Sequence, residues 1–321
     1  MERGSILVTG GNGFVGSALG RQLRLSSSKG VRVAVRKPRQ SGVGNETCVG
    51  DIGQFTDWNA ALSGVEIVVH TAARVHVMNE TAPNALDAFR QVNVLGTLNL
   101  AQQAQAAGVK RFIYLSSIKV NGESTDLTGP FVADAVGAPT DAYGLSKFEA
   151  ELALLDMAKS STMELVIIRP TLVYGPGVQA NFLTMMTWLY RRVPLPFGAI
   201  DNRRSLVSLA NLIDLIMVCI DHPAAAGQTF LASDGDDVST TRLLRELGHA
   251  LGRPALLLPV PAPLLRTTAR LLGKDDVAQR LLGSLQVDIE KNQALLGWIP
   301  PTDLREGLKF TAQAFLDTRD R

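Results

Sequence analysis

The sequence predicts an α/β fold in which a parallel sheet is doubly wound, with helices on both of its faces. Short apolar runs alternate with longer amphipathic segments, a pattern typical of repeated strand–helix units. The first run, Ile6 to Val8, leads directly into a turn with spaced glycines, a connection typical of a buried parallel strand followed by a helix. Further strands are predicted over 31–35, 66–70, 111–115 and 165–168, with amphipathic segments such as 85–107 between them.

The glycines of this first turn, Gly10, Gly13 and Gly16, predict a Rossmann-type dinucleotide site. They allow a sharp turn, a close approach of the backbone to a pyrophosphate, and tight packing of the next helix. That helix is expected to begin at Phe14 and Val15, where free N–H groups and the positive dipole end attract an anion. Gly10, Gly13, Phe14 and Val15 are therefore predicted to bind the cofactor.

The composition is typical of a protein that binds a small molecule. The 321 residues allow roughly two domains, and 46% hydrophobic residues suffice for a large core. A net charge of +2, from 32 basic and 30 acidic residues, provides no global field for nucleic acid or a membrane surface. Cys48 and Cys219 are too few for a disulfide framework or a metal cluster, so reduced thiols and no metal are predicted.

Neither a secretory leader nor a membrane span is expected. The first residues enter a strand without a charged leader or an apolar segment of the signal-peptide kind. The most apolar stretch, 255–272, is interrupted by prolines and arginines, which argues against a membrane span. A cytoplasmic location is therefore predicted.

Two domains are predicted. The alternation of apolar runs and amphipathic segments ends after Arg169, where proline and glycine become frequent. Leucine-rich helical segments follow over 243–251, 264–272 and 277–285. The dinucleotide-binding domain is expected to cover 1–169, with 205–235 returning to it. A smaller, mainly helical substrate domain is expected over 170–204 and 236–321.

Ser117, Tyr143 and Lys147 are the candidate catalytic residues. Ser117 follows a predicted strand, and Tyr143 and Lys147 share one helix face at a spacing of i, i+4. A neighbouring ammonium and an oxidised nicotinamide would favour the phenolate that acid–base work by a tyrosine needs. Ser117 would hold the same substrate oxygen by a hydrogen bond. Taken alone, this Tyr–Lys spacing has an alternative interpretation as an incidental pair on a surface helix.

Arg36 favours NADP(H) over NAD(H) as the cofactor. It lies about twenty residues beyond the last glycine, where an acidic residue would bind a ribose hydroxyl and an arginine a 2′-phosphate. The chain has Arg36-Lys37-Pro38-Arg39 there and no carboxylate. A solvated basic turn is the alternative, and NAD(H) remains possible.

Several ordered motifs together resemble the extended short-chain dehydrogenase/reductases, within the branch that acts on nucleotide sugars. The resemblance covers nearly the whole chain. The motifs are Thr9 to Gly16, Gly50-Asp51, His70 to Ala73, Asn93 to Thr97, Ser116-Ser117, Tyr143 with Lys147, and Arg169 to Pro176.

The resemblance implies roles for residues in both predicted domains. It implies catalysis by Ser117, Tyr143 and Lys147, the last two also touching the cofactor. The remaining cofactor residues that it implies are Asp51 and Ile52 at the adenine, Ala72 and Ala73 along the dinucleotide, Asn93 in support of the site, and Pro170 beside the nicotinamide.

A UDP-sugar is the substrate class that the resemblance implies. Guanidinium forks suit a diphosphate because they bind its oxygens bidentately. The implied substrate-binding residues are Thr171, Asn181 and Arg204, together with Leu195 and Phe197 at the uracil and Arg280 as a second clamp on the diphosphate.

Reduction of a C4 ketone is the leading hypothesis for the reaction. Epimerases of this branch carry Ser-x-x-Val-Tyr-Gly after the catalytic serine, whereas this chain has Lys119 and Asn121 within that stretch, which are expected to add polar groups near the sugar. Segments 73–78 and 202–207 also resemble bacterial reductases that convert UDP-2-acetamido-4-keto-2,6-dideoxyhexoses to N-acetyl-quinovosamine or -fucosamine type sugars in surface-polysaccharide synthesis. A UDP-glucose or UDP-N-acetylglucosamine 4-epimerase with retained NAD is the alternative, and a non-catalytic dinucleotide sensor is a third hypothesis.

A homodimer is a further implication of the resemblance. Members of the family commonly pair the helices that correspond to 85–107 and 143–159 into a four-helix bundle. The alternative is that the apolar stripes of both segments face only the chain's own sheet.

Overall fold

The computed structural model of the chain describes residues 5–37, 46–75, 85–127 and 129–319. Pro38 and Arg39 of the basic turn, and 76–78 of the segment 73–78, lie outside the described residues. The strands within these ranges are β1 (Ser5–Thr9), β2 (Gly30–Val35), β3 (Glu46–Cys48), β4 (Val65–His70), β5 (Arg111–Leu115), β6 (Glu164–Pro170), β7 (Leu172–Tyr174), β8 (Leu206–Ser208) and β9 (Thr229–Ala232).

In the described part of the chain, seven parallel strands form one sheet in the order β3-β2-β1-β4-β5-β6-β9, and β7 and β8 form a separate parallel pair. After β1 the chain forms β2 and β3 on one side of it, and then returns to place β4 on the other side of β1. The strand order therefore reverses between β1 and β4, and ligands of such sheets bind at the carboxyl ends of the strands beside this point. The predicted α/β fold class is confirmed.

The α-helices described are α1 (Phe14–Ser26), α2 (Asn59–Leu62), α3 (Ala85–Arg90), α4 (Thr97–Ala106), α5 (Ala142–Ala158), α6 (Ala180–Tyr190), α7 (Leu209–Asp221), α8 (Thr240–Ala250), α9 (Ala262–Leu271), α10 (Asp275–Leu282), α11 (Glu290–Leu296) and α12 (Leu304–Asp317). Short 3₁₀ helices lie at Ile118–Val120 and Pro223–Ala225.

Both faces of the sheet are covered because successive side chains of a strand point to opposite sides. Ile6 and Val8 of β1 pack with α1 and α7 on one face, whereas Leu7 packs with α2, α4 and α5 on the other. All three side chains are fully buried, as an apolar run in a central parallel strand predicts.

The C-terminal part of the chain is mainly helical. Helices α6, α8 and α12 pack around Tyr174 and Phe182, whose rings stack with centroids 5.6 Å apart. Helices α9 and α10 form a smaller cluster around Ile200 and Leu282. The predicted helices at 243–251, 264–272 and 277–285 correspond to α8, α9 and α10, each of which begins two or three residues earlier than predicted. The exact division into two domains stays a prediction.

The predicted helical segment 85–107 is interrupted in its middle. Between α3 and α4 the chain forms a π-helical segment, Gln91–Gly96. The wider turn lies where Asn93 bonds the backbone of Arg74, with Arg74 N donating to Oδ1 at 2.8 Å and Nδ2 donating to the Arg74 carbonyl at 3.0 Å. Single π turns of this kind are frequent at functional sites.

Candidate active site

The glycine turn after β1 has the geometry of an anion site. Gly10 has a φ of +70°, and Gly13 N donates to the Gly10 carbonyl at 2.8 Å. A Cβ at Gly16 would lie 2.4 Å from that same carbonyl oxygen, so only glycine lets α1 approach so closely. Gly13 caps α1 without a side-chain hydrogen bond, and the first turn carries no acidic residue. The first N–H groups of α1 are therefore able to bind a phosphate.

A buried histidine forms two side-chain hydrogen bonds at the end of β4, beside the glycine turn. His70 at the end of β4 lies 2.7 Å from Thr9 Oγ1 through Nδ1 and 3.0 Å from Thr97 Oγ1 through Nε2. Burial, and secondarily the charge of Lys147, lowers the pKa of His70 to about 3, so the ring is neutral. Ala72 N donates to Thr9 Oγ1 at 3.2 Å. This network ties the segment that contains Ala72 to the end of β1.

Ser117 and Tyr143 meet across two elements. Ser117 caps the short 3₁₀ helix after β5, and its Oγ accepts from Lys119 N at 3.3 Å. Tyr143 lies in the first turn of α5, which Asp141 caps by accepting from Gly144 N at 2.6 Å. The Ser117 hydroxyl lies close enough to the Tyr143 phenol to lower the pKa of that phenol.

Lys147 is one turn further along α5 and is 1% exposed. Its Nζ donates to the Leu115 carbonyl at 2.7 Å and lies 4.1 Å from the ring centroid of Tyr114. Burial lowers the pKa of Lys147 to about 7, against the pull of the Glu151 carboxylate, which raises it. The side chain is thus held at the end of β5 with a weakened preference for its charged form.

The protein's own groups favour the protonated form of Tyr143. Burial and the negative charge of Asp141 raise its pKa to about 12, although the nearby Ser117 hydroxyl lowers it. The prediction that the Lys147 ammonium and an oxidised nicotinamide together favour the phenolate therefore assigns part of the positive charge to the cofactor, because the burial of Lys147 weakens its preference for the charged form. Without a further positive charge, Tyr143 is a proton donor.

A buried ion pair lies behind these residues. Arg169 Nη2 and Glu151 Oε2 are 2.6 Å apart, and the two side chains are 7% and 1% exposed. Arg169 Nη1 donates to Asn121 Oδ1 at 3.0 Å, and Asn121 Nδ2 donates to the Val132 carbonyl at 3.2 Å. The expectation that Asn121 adds a polar group beside the sugar is wrong, because its amide is turned inward to satisfy the Arg169 guanidinium.

A single cavity of about 2540 Å³ joins the strand ends to the C-terminal helices. Its volume exceeds the roughly 300–1,000 Å³ of an ordinary small-molecule pocket, so it has room for a dinucleotide and a second ligand. The predicted site residues in its wall are Gly10, Gly13, Phe14, Val15, Arg36, Asp51, Ile52, Ala72, Ala73, Ser117, Tyr143, Lys147, Pro170, Thr171, Asn181, Arg204 and Arg280.

Three predicted site residues do not reach the cavity wall. Asn93 is 1% exposed and donates to Ser146 Oγ at 3.0 Å besides its bonds to Arg74, so its place is behind the site. Leu195 is 5% exposed among the C-terminal helices, and Phe197 packs against the same apolar cluster. Contact of Leu195 or Phe197 with a uracil stays a prediction that this packing does not support.

Charged residues of the wall are found at both ends of the cavity. Arg36 and Asp51 form an exposed ion pair with Nη1 and Oδ1 3.6 Å apart, beyond the ends of β2 and β3. At the other end, Arg204 Nη1 donates to the Gly283 carbonyl at 3.0 Å. Burial and the neighbouring charge of Arg280 lower the pKa of Arg204. Arg204 and Arg280 both line this part of the cavity, and guanidinium groups are well suited to bind a diphosphate.

Sequence analysis did not identify three acidic residues near Tyr143 and Lys147. Glu123 and Asp141 line the cavity, and both pair with Lys119. Glu151 was also missed, although it follows Lys147 by one further turn on the same helix face. The signal available for Asp141 was its place before the first apolar turn of a helix, which is typical of an N-cap.

Comparison with known proteins agrees with this geometry. Residues 6–232 match the family described as "NAD dependent epimerase/dehydratase family". The chain is 52% identical to the UDP-glucose 4-epimerase of Vibrio cholerae over 318 residues, which is 99% of this chain and 97% of that protein.

The chain belongs to the NAD-dependent epimerase/dehydratase family. It is thus an enzyme of this family rather than a non-catalytic dinucleotide sensor. The fold agrees with that of other solved structures. UDP-glucuronic acid 4-epimerase from Bacillus cereus, in complex with NAD, has a TM-score of 0.78 at 19% identity and 98% coverage of both chains. UDP-glucose 4-epimerase from Thermotoga maritima, with UDP-glucose, has a TM-score of 0.76 at 23% identity, covering 98% of this chain and 99% of that one.

Two further findings concern metal sites and membrane spans within the described ranges. No three or more His, Cys, Asp or Glu side chains there are grouped so that they could hold a metal ion. Nor does any helix in those ranges combine the length and apolar character that crossing a membrane requires.

Proposed function

We propose that this enzyme interconverts the two C4 configurations of a UDP-hexose, with NAD as its cofactor. The observation that carries the proposal is the 52% identity to a UDP-glucose 4-epimerase across nearly the whole of both chains. Two features of the site add support. The cavity has room for a dinucleotide and a nucleotide sugar, and Ser117, Tyr143 and Lys147 all line its wall.

The residues of the cavity fit a dinucleotide that lies across the strand ends. The N–H groups at the start of α1 would hold the pyrophosphate, where the close approach of Gly16 to Gly10 leaves no room for side chains. Asp51 and Ile52 would lie at the adenine and Pro170 at the nicotinamide. When bound, the oxidised nicotinamide supplies a hydride acceptor and a positive charge that favours the Tyr143 phenolate.

Tyr143 is the proton carrier in this proposal. Its phenolate oxygen takes the proton of the C4 hydroxyl as the sugar is oxidised, and the phenol returns that proton once the keto sugar presents its other face. Ser117 holds the C4 oxygen through its hydroxyl, and Lys147 stabilises the phenolate. Arg204 and Arg280 would anchor the diphosphate throughout, so that the sugar can turn while the nucleotide stays bound.

Reduction of a UDP-2-acetamido-2,6-dideoxy-4-keto-hexose is the second candidate. It is favoured by the basic turn at Arg36 and Lys37, which follows β2 with no carboxylate and suits the 2′-phosphate of NADPH. In that reaction Tyr143 would donate its proton to the oxygen at C4, a role that matches its raised pKa. Two observations weaken this candidate: Arg36 pairs with Asp51, and Asn121 faces away from the sugar.

A two-arm assay separates the candidates. In the first arm, purified enzyme is incubated with UDP-glucose without added cofactor, and UDP-galactose is quantified by ion-exchange chromatography. In the second, loss of nicotinamide absorbance is followed with NADPH or NADH and the 4-keto sugar nucleotide. Formation of UDP-galactose supports the epimerase. Stoichiometric oxidation of NADPH without any UDP-galactose would overturn it in favour of the reductase.

A homodimer through α4 and α5 belongs to the same proposal. Leu152 and Leu155 of α5 are 51% and 42% exposed, although the inner residues of that helix pack on the sheet. A surface helix with apolar residues on its outer face is suited to pairing with a second copy of itself.

A further inference from the structure

The wall of the cavity beside Tyr143 contains a charge cluster that the proposed mechanism does not use. Lys119 Nζ lies 2.6 Å from Glu123 Oε1 and also pairs with Asp141 Oδ2. The three side chains are between a quarter and two fifths exposed, and all three residues line the cavity. One ammonium is shared by two carboxylates, so the cluster has an excess of negative charge.

The cluster lines the same cavity as the proposed catalytic tyrosine and the proposed diphosphate anchor, Arg204. Asp141 acts electrostatically on Tyr143, and Glu123 acts in the same way on Arg204. In a UDP-sugar whose diphosphate is at Arg204 and whose C4 is at Tyr143, the segment between these points is the hexose ring. Lys119, Glu123 and Asp141 therefore border the space for the sugar.

Several contacts hold the cluster in place. Asp141 caps α5 through Gly144 N, and a Cβ at Gly144 would lie 2.8 Å from the Lys119 carbonyl oxygen. The start of α5 is thus pressed against the segment after Ser117, and the ion pair of Lys119 with Asp141 ties the two together. Lys119 is not free to bind an anionic ligand, because both carboxylates already occupy its ammonium.

We propose that Glu123 and Asp141, held in place by Lys119, select neutral UDP-hexoses and reject UDP-hexuronates. Their carboxylates accept hydrogen bonds from sugar hydroxyl groups, whereas a sugar carboxylate at C6 would meet like charge at close range. This inference rests on the proposed function, because it assumes that the cavity binds a UDP-sugar.

Binding affinity tests this selectivity without requiring turnover. The NAD-loaded full-length enzyme is titrated calorimetrically with UDP, UDP-glucose and UDP-glucuronate. We expect UDP-glucuronate to bind at least about tenfold more weakly than UDP-glucose. In the double variant Glu123→Gln with Asp141→Asn, this ratio is expected to fall about tenfold, whereas any effect of Glu123 on Arg204 changes the affinities for UDP and for both sugar nucleotides alike. Asparagine is also a good N-cap, so α5 keeps its start.

Three further variants keep the result interpretable. Lys119→Met increases the negative excess and should weaken the binding of UDP-glucuronate more than that of UDP-glucose. Asp317→Asn, which changes a cavity-lining carboxylate on α12, should leave the ratio as it is in the unmodified enzyme. Glu123→Gln alone should give a partial effect, and Glu123 caps no helix.

The outcomes separate this inference from the proposed function. Equal affinities for the two sugars in the unmodified enzyme, or an unchanged ratio in the double variant with UDP affinity retained, would overturn the selectivity. A preserved selectivity without formation of UDP-galactose would overturn the proposed reaction and leave the selectivity standing. Absence of UDP binding would overturn both.

Discussion

The phenol of Tyr143 shows how burial and catalysis oppose each other in a single residue. Burial and Asp141 raise its pKa to about 12. Tyr143 can therefore accept the proton of the C4 hydroxyl only if a nearby positive charge stabilises its phenolate. Tyr143→Phe removes the proton carrier and keeps the ring. We expect a loss of turnover of about 10²–10⁴-fold, with NAD binding retained, when steady-state rates and cofactor fluorescence are measured. Tyr190→Phe at the end of α6 is the matched control, and turnover by Tyr143→Phe at the unmodified rate would contradict the proposed mechanism.

His70 is a second residue whose burial has a measurable consequence. Its pKa is about 3 in the folded chain and about 6.5 when exposed, so the unfolded chain binds more protons between these values. Stability therefore falls as pH drops from about 6.5 towards 3, by about 1.4 kcal/mol per pH unit from this one group.

His70→Gln should reduce this acid-induced loss, because glutamine does not titrate. Urea unfolding at several pH values between 4 and 7 would compare the slopes of unfolding free energy against pH. The slope of the variant is expected to be shallower by about 1 kcal/mol per pH unit. Identical slopes would mean that the folded chain accepts the proton as readily as the unfolded one.

Among the elements, α5 and β6 are joined by the buried pair of Glu151 and Arg169. Glu151→Gln leaves the Arg169 guanidinium without its carboxylate in a buried place, which is expected to cost about 3–5 kcal/mol of unfolding free energy. Glu149→Gln on the same helix breaks a partly exposed pair with Arg90 and should cost less than about 1 kcal/mol. Urea unfolding measures both, and equal costs would contradict the assigned burial effect.

At the scale of the whole molecule, the apolar outer face of α5 predicts the oligomeric state. If α5 pairs with a second copy, Leu152→Glu places like charges in the interface and should convert a dimer to a monomer of unchanged helical content. Sedimentation velocity measures this directly. Leu271→Glu on α9 changes a leucine that is 82% exposed and should leave the dimer intact. A monomeric unmodified enzyme would rule out the pairing.

The sequence alone determined the doubly wound fold and the glycine turn, because both depend on local patterns. The spacing of Gly10, Gly13 and Gly16 specifies backbone conformations within a few residues, and the continuous apolar run of β1 specifies two buried faces. It also predicted that Ser117, Tyr143 and Lys147 lie together, since strand ends of a parallel sheet share one edge.

Only the tertiary structure decided which polar side chains face the ligand and which face the protein. Asn121 lies two positions from Lys119, yet its amide is bonded to Arg169 whereas Lys119 borders the cavity. The lowered pKa of Lys147 and the pairing of Glu123 and Asp141 with one ammonium were equally invisible in the sequence. Desolvation and charge pairing depend on groups brought together from distant parts of the chain, and no local pattern encodes which groups will meet.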